Sequence, residues 1–255
     1  MNLTNMRSTN PAIGVMNRAA GTFNFGGEGA EANAATVSGT TTKALVLVAL
    51  TLVTGWLAME YTIGSIYSQQ SVPMGLVWVP MIVGLIAAFA TCFKPQYSPF
   101  TAPLYAVCEG GCLGALSGIF EFKYPGIVST AVMSTFVVVM VMLALWKFRI
   151  IVPTQRFRAV VMSATLGVCV LYLLDLVFHL FGASLLPTSG ALAIGISLIV
   201  CLIASMNLIL DFDNIQVAVD QGLPKYFEYF NAFSLLVTIC WLYIEILQLL
   251  AQREQ

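Results

Sequence analysis

Charge is what this sequence has least of: its 255 residues include 11 Lys and Arg, 12 Asp and Glu, and a single His. Charged side chains make up 9% of the chain, where a soluble domain carries roughly 25%. Too little polar surface remains to face water, so the solvent must be largely lipid. The net charge of −1 and the lack of a basic run argue against nucleic acid as a partner and against recruitment to a membrane surface by charge. Histidine is confined to His179, so Cys108 and Cys112, though spaced i, i+4, have neither a His nor a second Cys pair to complete a metal site. All six cysteines (92, 108, 112, 169, 201 and 240) fall in or beside apolar segments and read as small hydrophobes. No cofactor is expected. The N-terminus has no apolar h-region and is not a secretory signal.

The apolar side of the composition is correspondingly heavy, with 59% hydrophobic residues and a mean hydropathy of +0.89. A spanning helix needs about 20 mostly apolar residues. Seven segments qualify: 43–63, 73–93, 101–120, 126–146, 159–181, 188–211 and 229–251. The fold expected is therefore an all-α integral membrane protein, a seven-transmembrane-helix bundle, with a re-entrant last segment as the alternative. The breaks SQQSVP, FKPQYSP, EFKYPG, KFRIIVPTQRFR and ASLLPTS combine polar residues with a proline that cannot continue a helix. Residues 1–42, rich in Gly, Ala, Asn and Thr, read as a flexible tail before a membrane domain over 43–255. Glu28 and Glu31 weaken a transit-peptide reading of that tail. Arg7, Arg18, Lys43, Lys94, Lys147, Arg149, Arg156, Arg158 and Lys225 all fall on one side of the bundle, against Lys123 and Arg253 on the other. The positive-inside rule then puts the N-terminus in the cytoplasm.

Within the third segment, Gly110, Gly114 and Gly118 recur every four residues in GGCLGALSG. Such small-residue stripes let helices approach closely, and packing is the preferred reading over a ligand role.

Five acids lie in or at the ends of the segments: Glu60, Glu109, Asp175, Asp211 and Glu245. No Lys or Arg lies deep in a segment to neutralise them, and an ionisable group at the bilayer centre costs about 2.5–3.5 kcal/mol on insertion scales. Glu60 reads as interfacial. Asp175 and His179, spaced i, i+4, suggest a local contact, with a proton relay as the alternative. Asn207, Asp211 and Asn214 follow i, i+4, i+7 and share a helical face, while Asp213 points nearly the opposite way with Gln216 and Asp220, toward headgroups or water. In the last segment Ser234, Thr238, Trp241, Glu245, Gln248 and Gln252 form one narrow polar stripe. A stripe of that kind should face protein or a wet cavity, with interhelical hydrogen-bonded glue as the plainer alternative. If the chain turns at Gly222–Pro224 and the helix re-enters near Ala232, Asp211 and Glu245 sit at similar depths, about 16–20 Å from the turn.

These residues carry a resemblance. AVCEGGCLGALSGIFEFKYPG (106–126), NLILDFDNI (207–215) and LYIEILQLL (242–250), with RSTNPAIG near the N-terminus, resemble the Bax-inhibitor family, also called the transmembrane BAX inhibitor motif proteins, in its bacterial branch. The resemblance implies a bacterial plasma membrane location, six helices around a central seventh, and a pH-sensitive calcium leak. It also implies a pairing between the acid ending the sixth helix, here Asp211, and one on the seventh, here Glu245 where relatives carry aspartate. Phe212 and Asp213 replace the family's Thr-Gln, and Glu109 matches an acid of the third helix in several branches. Some relatives carry a basic residue in the second segment that engages the acids; 73–93 has none.

Two carboxyls in a poorly solvated space resist double ionisation and tend to share a proton. The expectation is thus a non-enzymatic, pH-sensitive Ca²⁺ leak channel, with Asp211 and Glu245 as the gating pair and weak Ca²⁺ contacts. Glu109, Asn207, Asn214, Ser234, Thr238 and Gln248 are expected to line the pathway, and Ca²⁺ enters only as the permeant ion. The lipid bilayer is the one partner expected outright. An alternative is a regulatory protein that restrains a membrane protease or a cell-death partner, which would make other membrane proteins its partners. An intramembrane aspartyl protease is further away, because no Gly-x-Gly-Asp stretch is present and the second acid is Glu. GALSG lacks the G-x-S-x-G spacing of a serine nucleophile, and the last segment has no Lys for retinal.

Overall fold

A computed structural model describes residues 34–68, 75–187 and 189–254. The described chain is helical: α1 Val37–Tyr67, α2 Gly75–Phe93, α3 Ser98–Lys123, α4 Ile127–Lys147, α5 Gln155–Leu180, α6 Ala191–Asp220 and α7 Tyr226–Arg253, with a 3₁₀ turn at Pro95–Tyr97 before α3. Six of these are long and apolar enough to cross a membrane, and the apolar part of α2, Trp78–Phe93, is shorter. Each expected apolar segment is thus a helix, and the outward faces of α1, α2 and α5 carry exposed Trp56, Leu57, Trp78, Ile86, Leu166 and Leu173.

Helix α1 begins earlier than expected. Residues 1–33 lie outside the described chain, so RSTNPAIG and most of the expected tail do too, but Val37–Thr42 are already the first turns of α1. Thr36 is the N-cap, its hydroxyl accepting from Gly39 N at 2.9 Å. A second cap comes from the other end of the sequence. Glu228, at the start of α7, accepts hydrogen bonds from the Thr36 amide and hydroxyl, both at 2.9 Å, and forms an ion pair with Lys43. An acid at a helix N-terminus satisfies orphan amides and the helix dipole together. Ala35 N also donates to Leu223 O at 2.7 Å, and Ala35, Ala218, Leu223 and Phe227 form a small buried cluster beneath.

The glycine stripe packs α3 on α1. A Cβ at Gly114 would overlap the backbone of Gly55, and one at Gly110 would overlap Thr51 and Thr54. Thr51 Oγ1 donates to Ala106 O across the same contact at 3.1 Å. Helix α7 packs against α1, α3, α4 and α6. Its Phe233, Leu236, Leu242 and Leu247 join Leu47, Leu113, Leu208 and Phe212 in the main core. Helix α5 is the contrast: Val161 is its one buried residue.

Candidate functional site

Asp211 lies at the start of the last third of α6 and is buried, 7% exposed. Its two oxygens accept from α7: Oδ1 from the Ser234 hydroxyl at 2.7 Å and Oδ2 from the Thr238 hydroxyl at 2.6 Å. Ser234 and Thr238 are i, i+4, so one turn of α7 presents both donors to one carboxyl group. The expected grouping of Asp211, Ser234 and Thr238 is therefore present as a hydrogen-bonded α6–α7 clamp.

Glu245 is buried further along α7, 2% exposed. Its Oε1 accepts from the Tyr172 hydroxyl of α5 at 2.5 Å and from the indole N–H of Trp241, one turn earlier, at 3.1 Å. Oε2 is buried with no hydrogen-bond partner. Asp211 and Glu245 share no hydrogen bond, so the direct pair expected from the sequence is not formed. Register explains the difference. Helix α7 starts at Tyr226, two residues after Pro224, rather than near Ala232. That start brings Ser234 and Thr238 level with Asp211 and leaves Glu245, seven residues beyond Thr238, about 10 Å farther along the axis.

The other expected residues divide among different neighbours. Asn207 donates to Thr165 Oγ1 of α5 at 2.7 Å and to Ile203 O at 2.9 Å. Asn214 accepts from Arg158 of α5 at 3.1 Å. These two asparagines lie about 20° apart around α6, whereas Asp211 is offset by roughly 40–60°, enough to face α7 while they face α5. Asp213 does not point to headgroups: it forms an ion pair with Arg158, whose second guanidinium nitrogen holds Asn214. Only the outermost members of its stripe behave as expected, Gln216 donating to Asp220 at 2.8 Å.

The polar stripe of α7 also divides. Ser234 and Thr238 serve Asp211, Trp241 and Tyr172 of α5 both donate to Glu245, and Gln252 accepts from Ser197 of α6 at 3.2 Å. Gln248 is exposed although Leu247 and Ala251 beside it are buried, so it lies on the outer face of α7 and does not line an interior pathway. Glu109 is half-buried, one turn beyond Tyr105, and Tyr105 packs edge-on against Phe233 of α7, with ring centroids 5.0 Å apart. Glu60 is exposed. Asp175 does not bond His179; its Oδ1 accepts from the amides of Leu185 and Leu186, both at 2.9 Å, and so ties the following loop to α5.

Tyr172 and Arg158 are the partners of these side chains that the sequence reading missed. The available signal was the seven-residue spacing of Arg158, Thr165 and Tyr172, which puts all three on one stripe of α5.

Among the described residues, the ion pairs are Lys43–Glu228 and Arg158–Asp213. Asp211 and Glu245 are held by neutral donors alone. No group of three or more His, Cys, Asp and Glu side chains converges as a metal site among the described residues.

The family described as Bax inhibitor 1 like matches residues 10–255, and the chain belongs to it. No curated protein and no solved structure matches the chain.

Proposed function

We propose that this member of the Bax inhibitor 1 like family is a pH-sensitive cation leak, passing Ca²⁺, in which Asp211 and Glu245 act as two separate gating acids. The observation that carries the reading is that both are buried among apolar helices and held by neutral donors, with no base in contact. A carboxyl with a fixed base beside it has a constant charge partner; one held by hydroxyls and an indole has a charge that follows its proton. With the protons on, the Asp211 clamp joins α6 to α7 and the Glu245 contact joins α7 to α5. Losing the protons puts two uncompensated anions into a lipid-shielded interior, which is costly. Water or a hard cation entering between the helices relieves that cost, since carboxylate oxygens suit Ca²⁺. Two acids two to three turns apart give weak successive contacts rather than one tight site, which conduction requires.

Ser234, Thr238 and Glu109 line this route, and α7 is the central helix of a seven-span arrangement, a reading supported by its packing against α1, α3, α4 and α6. The end carrying Lys43, Lys94, Lys147, Arg149, Arg156, Arg158 and Lys225 faces the cytoplasm of a bacterial cell. The two acids hold different partners at different depths, which gives no support to a shared-proton protease dyad.

The test is Ca²⁺ flux in vesicles containing only this protein, measured across pH. Flux should rise with pH in the wild type. Asp211→Asn and Glu245→Gln should each weaken the response, and the double change should flatten it. Unchanged flux and pH dependence in all three variants would refute the gating role. Absence of flux from folded wild-type protein, with membrane proteins co-purifying, would favour the restraint of a partner instead.

A further inference from the structure

We propose that α5 is the movable wall of the bundle, with Arg158, Thr165 and Tyr172 as the positioning residues that hold it shut. The inference rests on the leak reading only in assigning a use to the movement.

Apolar packing does little to fix α5. Val161 is its one buried residue, and Leu166, Val170, Leu173 and Leu176 are exposed. In lipid, an exposed leucine gains little by moving onto a neighbouring helix, because acyl chains are as apolar as the leucine itself. Polar contacts therefore decide where α5 sits. Among the described residues, those joining it to other helices come from just three of its positions: Arg158 to Asp213 and Asn214, Thr165 to Asn207, and Tyr172 to Glu245.

Their spacing makes a seam. Residues 158, 165 and 172 recur every seven positions on α5, and their partners Asn214 and Asn207 recur at seven on antiparallel α6. At the next step along, Val200 of α6 is apolar and buried, and Tyr172 reaches past it to Glu245 on α7. Such a row can part along its length without dismantling the core on its far side.

Two further features favour parting at this seam. The loop after α5 is tied by Asp175 to α5 itself, through Leu185 and Leu186, so helix and loop can move as one body. Behind the seam, Glu245 Oε2 is buried and unpartnered. Outward movement of α5 admits water to that oxygen, offsetting the loss of the Tyr172 contact. The groups uncovered are Glu245, Trp241, Asn207, Asp213 and Asn214, so an open seam is a polar cleft that runs from the basic end of the bundle to Glu245.

The full chain, with its six cysteines replaced, should be spin-labelled at Leu166 on α5 and Leu52 on α1, both exposed, and inter-label distances measured in lipid nanodiscs. Tyr172→Phe with Thr165→Val should raise a second, displaced distance population about tenfold, the combined effect of losing two hydrogen bonds between neutral groups. Thr165→Ser, which keeps its hydroxyl, should leave the distances at their wild-type values. An unchanged distribution in the folded Tyr172→Phe, Thr165→Val protein overturns the proposal. Displacement without any change of Ca²⁺ flux would leave the movable wall standing and refute its use in a leak. Flux that responds to Asp211→Asn while α5 stays fixed would do the reverse.

Discussion

Replacing Glu228 by Gln offers the sharpest check on how the two ends of the chain are joined. The Glu228 side chain is 2% exposed and that of its partner Lys43 is 18% exposed. The carboxylate accepts the Thr36 amide and hydroxyl as well as the ammonium. The glutamine amide keeps one oxygen but places an NH₂ against groups that are all donors, and it strands the ammonium. Breaking a buried ion pair from one side costs about 3–5 kcal/mol. Partial exposure of Lys43 lets water recover some of that, so about 2–4 kcal/mol is expected. For a chain of this size each kcal/mol moves Tm by about 2–4 °C, which gives a fall of roughly 4–16 °C. Unfolding in detergent can be followed with a thiol-reactive fluorophore that reads exposure of buried Cys112 and Cys240. Adding Lys43→Met to Glu228→Gln removes the stranded charge and should restore part of the loss. A single variant losing under about 1 kcal/mol, or a double variant no more stable than the single, would refute the view that this pair is a buried structural clasp.

Two further stability predictions follow from close packing and capping. Gly114→Ala should destabilise by about 1–3 kcal/mol, because its Cβ would overlap the Gly55 backbone, which cannot move aside as a flexible side chain can; an unchanged Tm would mean that α1 and α3 are not held this closely. Glu121 accepts the amides of Gly126 at 2.7 Å and Val128 at 3.0 Å at the start of α4, so Glu121→Ala should cost about 0.5–2 kcal/mol. Hydrogen exchange should accelerate at residues 126–130 while the rest of α4 stays protected.

The helices were legible because a membrane solvent imposes long uncharged runs, and Pro, Gly and polar clusters mark where those runs end. The position of the site was less legible, and one boundary accounts for most of the error. YFEYFN, with its aromatics and Glu228, looks like a segment lying in the interface. It is instead the first turns of α7, because Glu228 is neutralised by a distant Lys43 and Phe227 is buried against Ala35 and Leu223. Moving the helix start from Ala232 to Tyr226 shifts the expected level of Glu245 by about 9 Å, which separates it from Asp211. The partners of Asp213 and Glu245 were hidden for another reason: Arg158 read as an end-of-helix charge and Tyr172 as one aromatic among apolar neighbours. A shared face on α6 also said nothing about which neighbour that face would meet. Small rotations decided whether a side chain turned to α5 or to α7.

Four acids that join one helix to another, Glu228, Asp213, Asp211 and Glu245, are held in two ways, and the division follows position along the helices. Glu228 and Asp213 lie near the end of the bundle where the basic residues collect, and each has a base, Lys43 or Arg158. Asp211 and Glu245 lie deeper, beyond the reach of those side chains, and receive only hydroxyls and an indole. Bases deep in the spans would have made permanent ion pairs and fixed the helices as firmly as the end clasps do. Neutral donors stabilise a helix contact without fixing its charge, so protonation can change the contact. A bundle built this way has its strongest joints at the charged end and its adjustable ones inside. The outer adjustable joint, Tyr172 to Glu245, is carried by the helix with the least buried surface, the place where a change of one proton has the least packing to overcome.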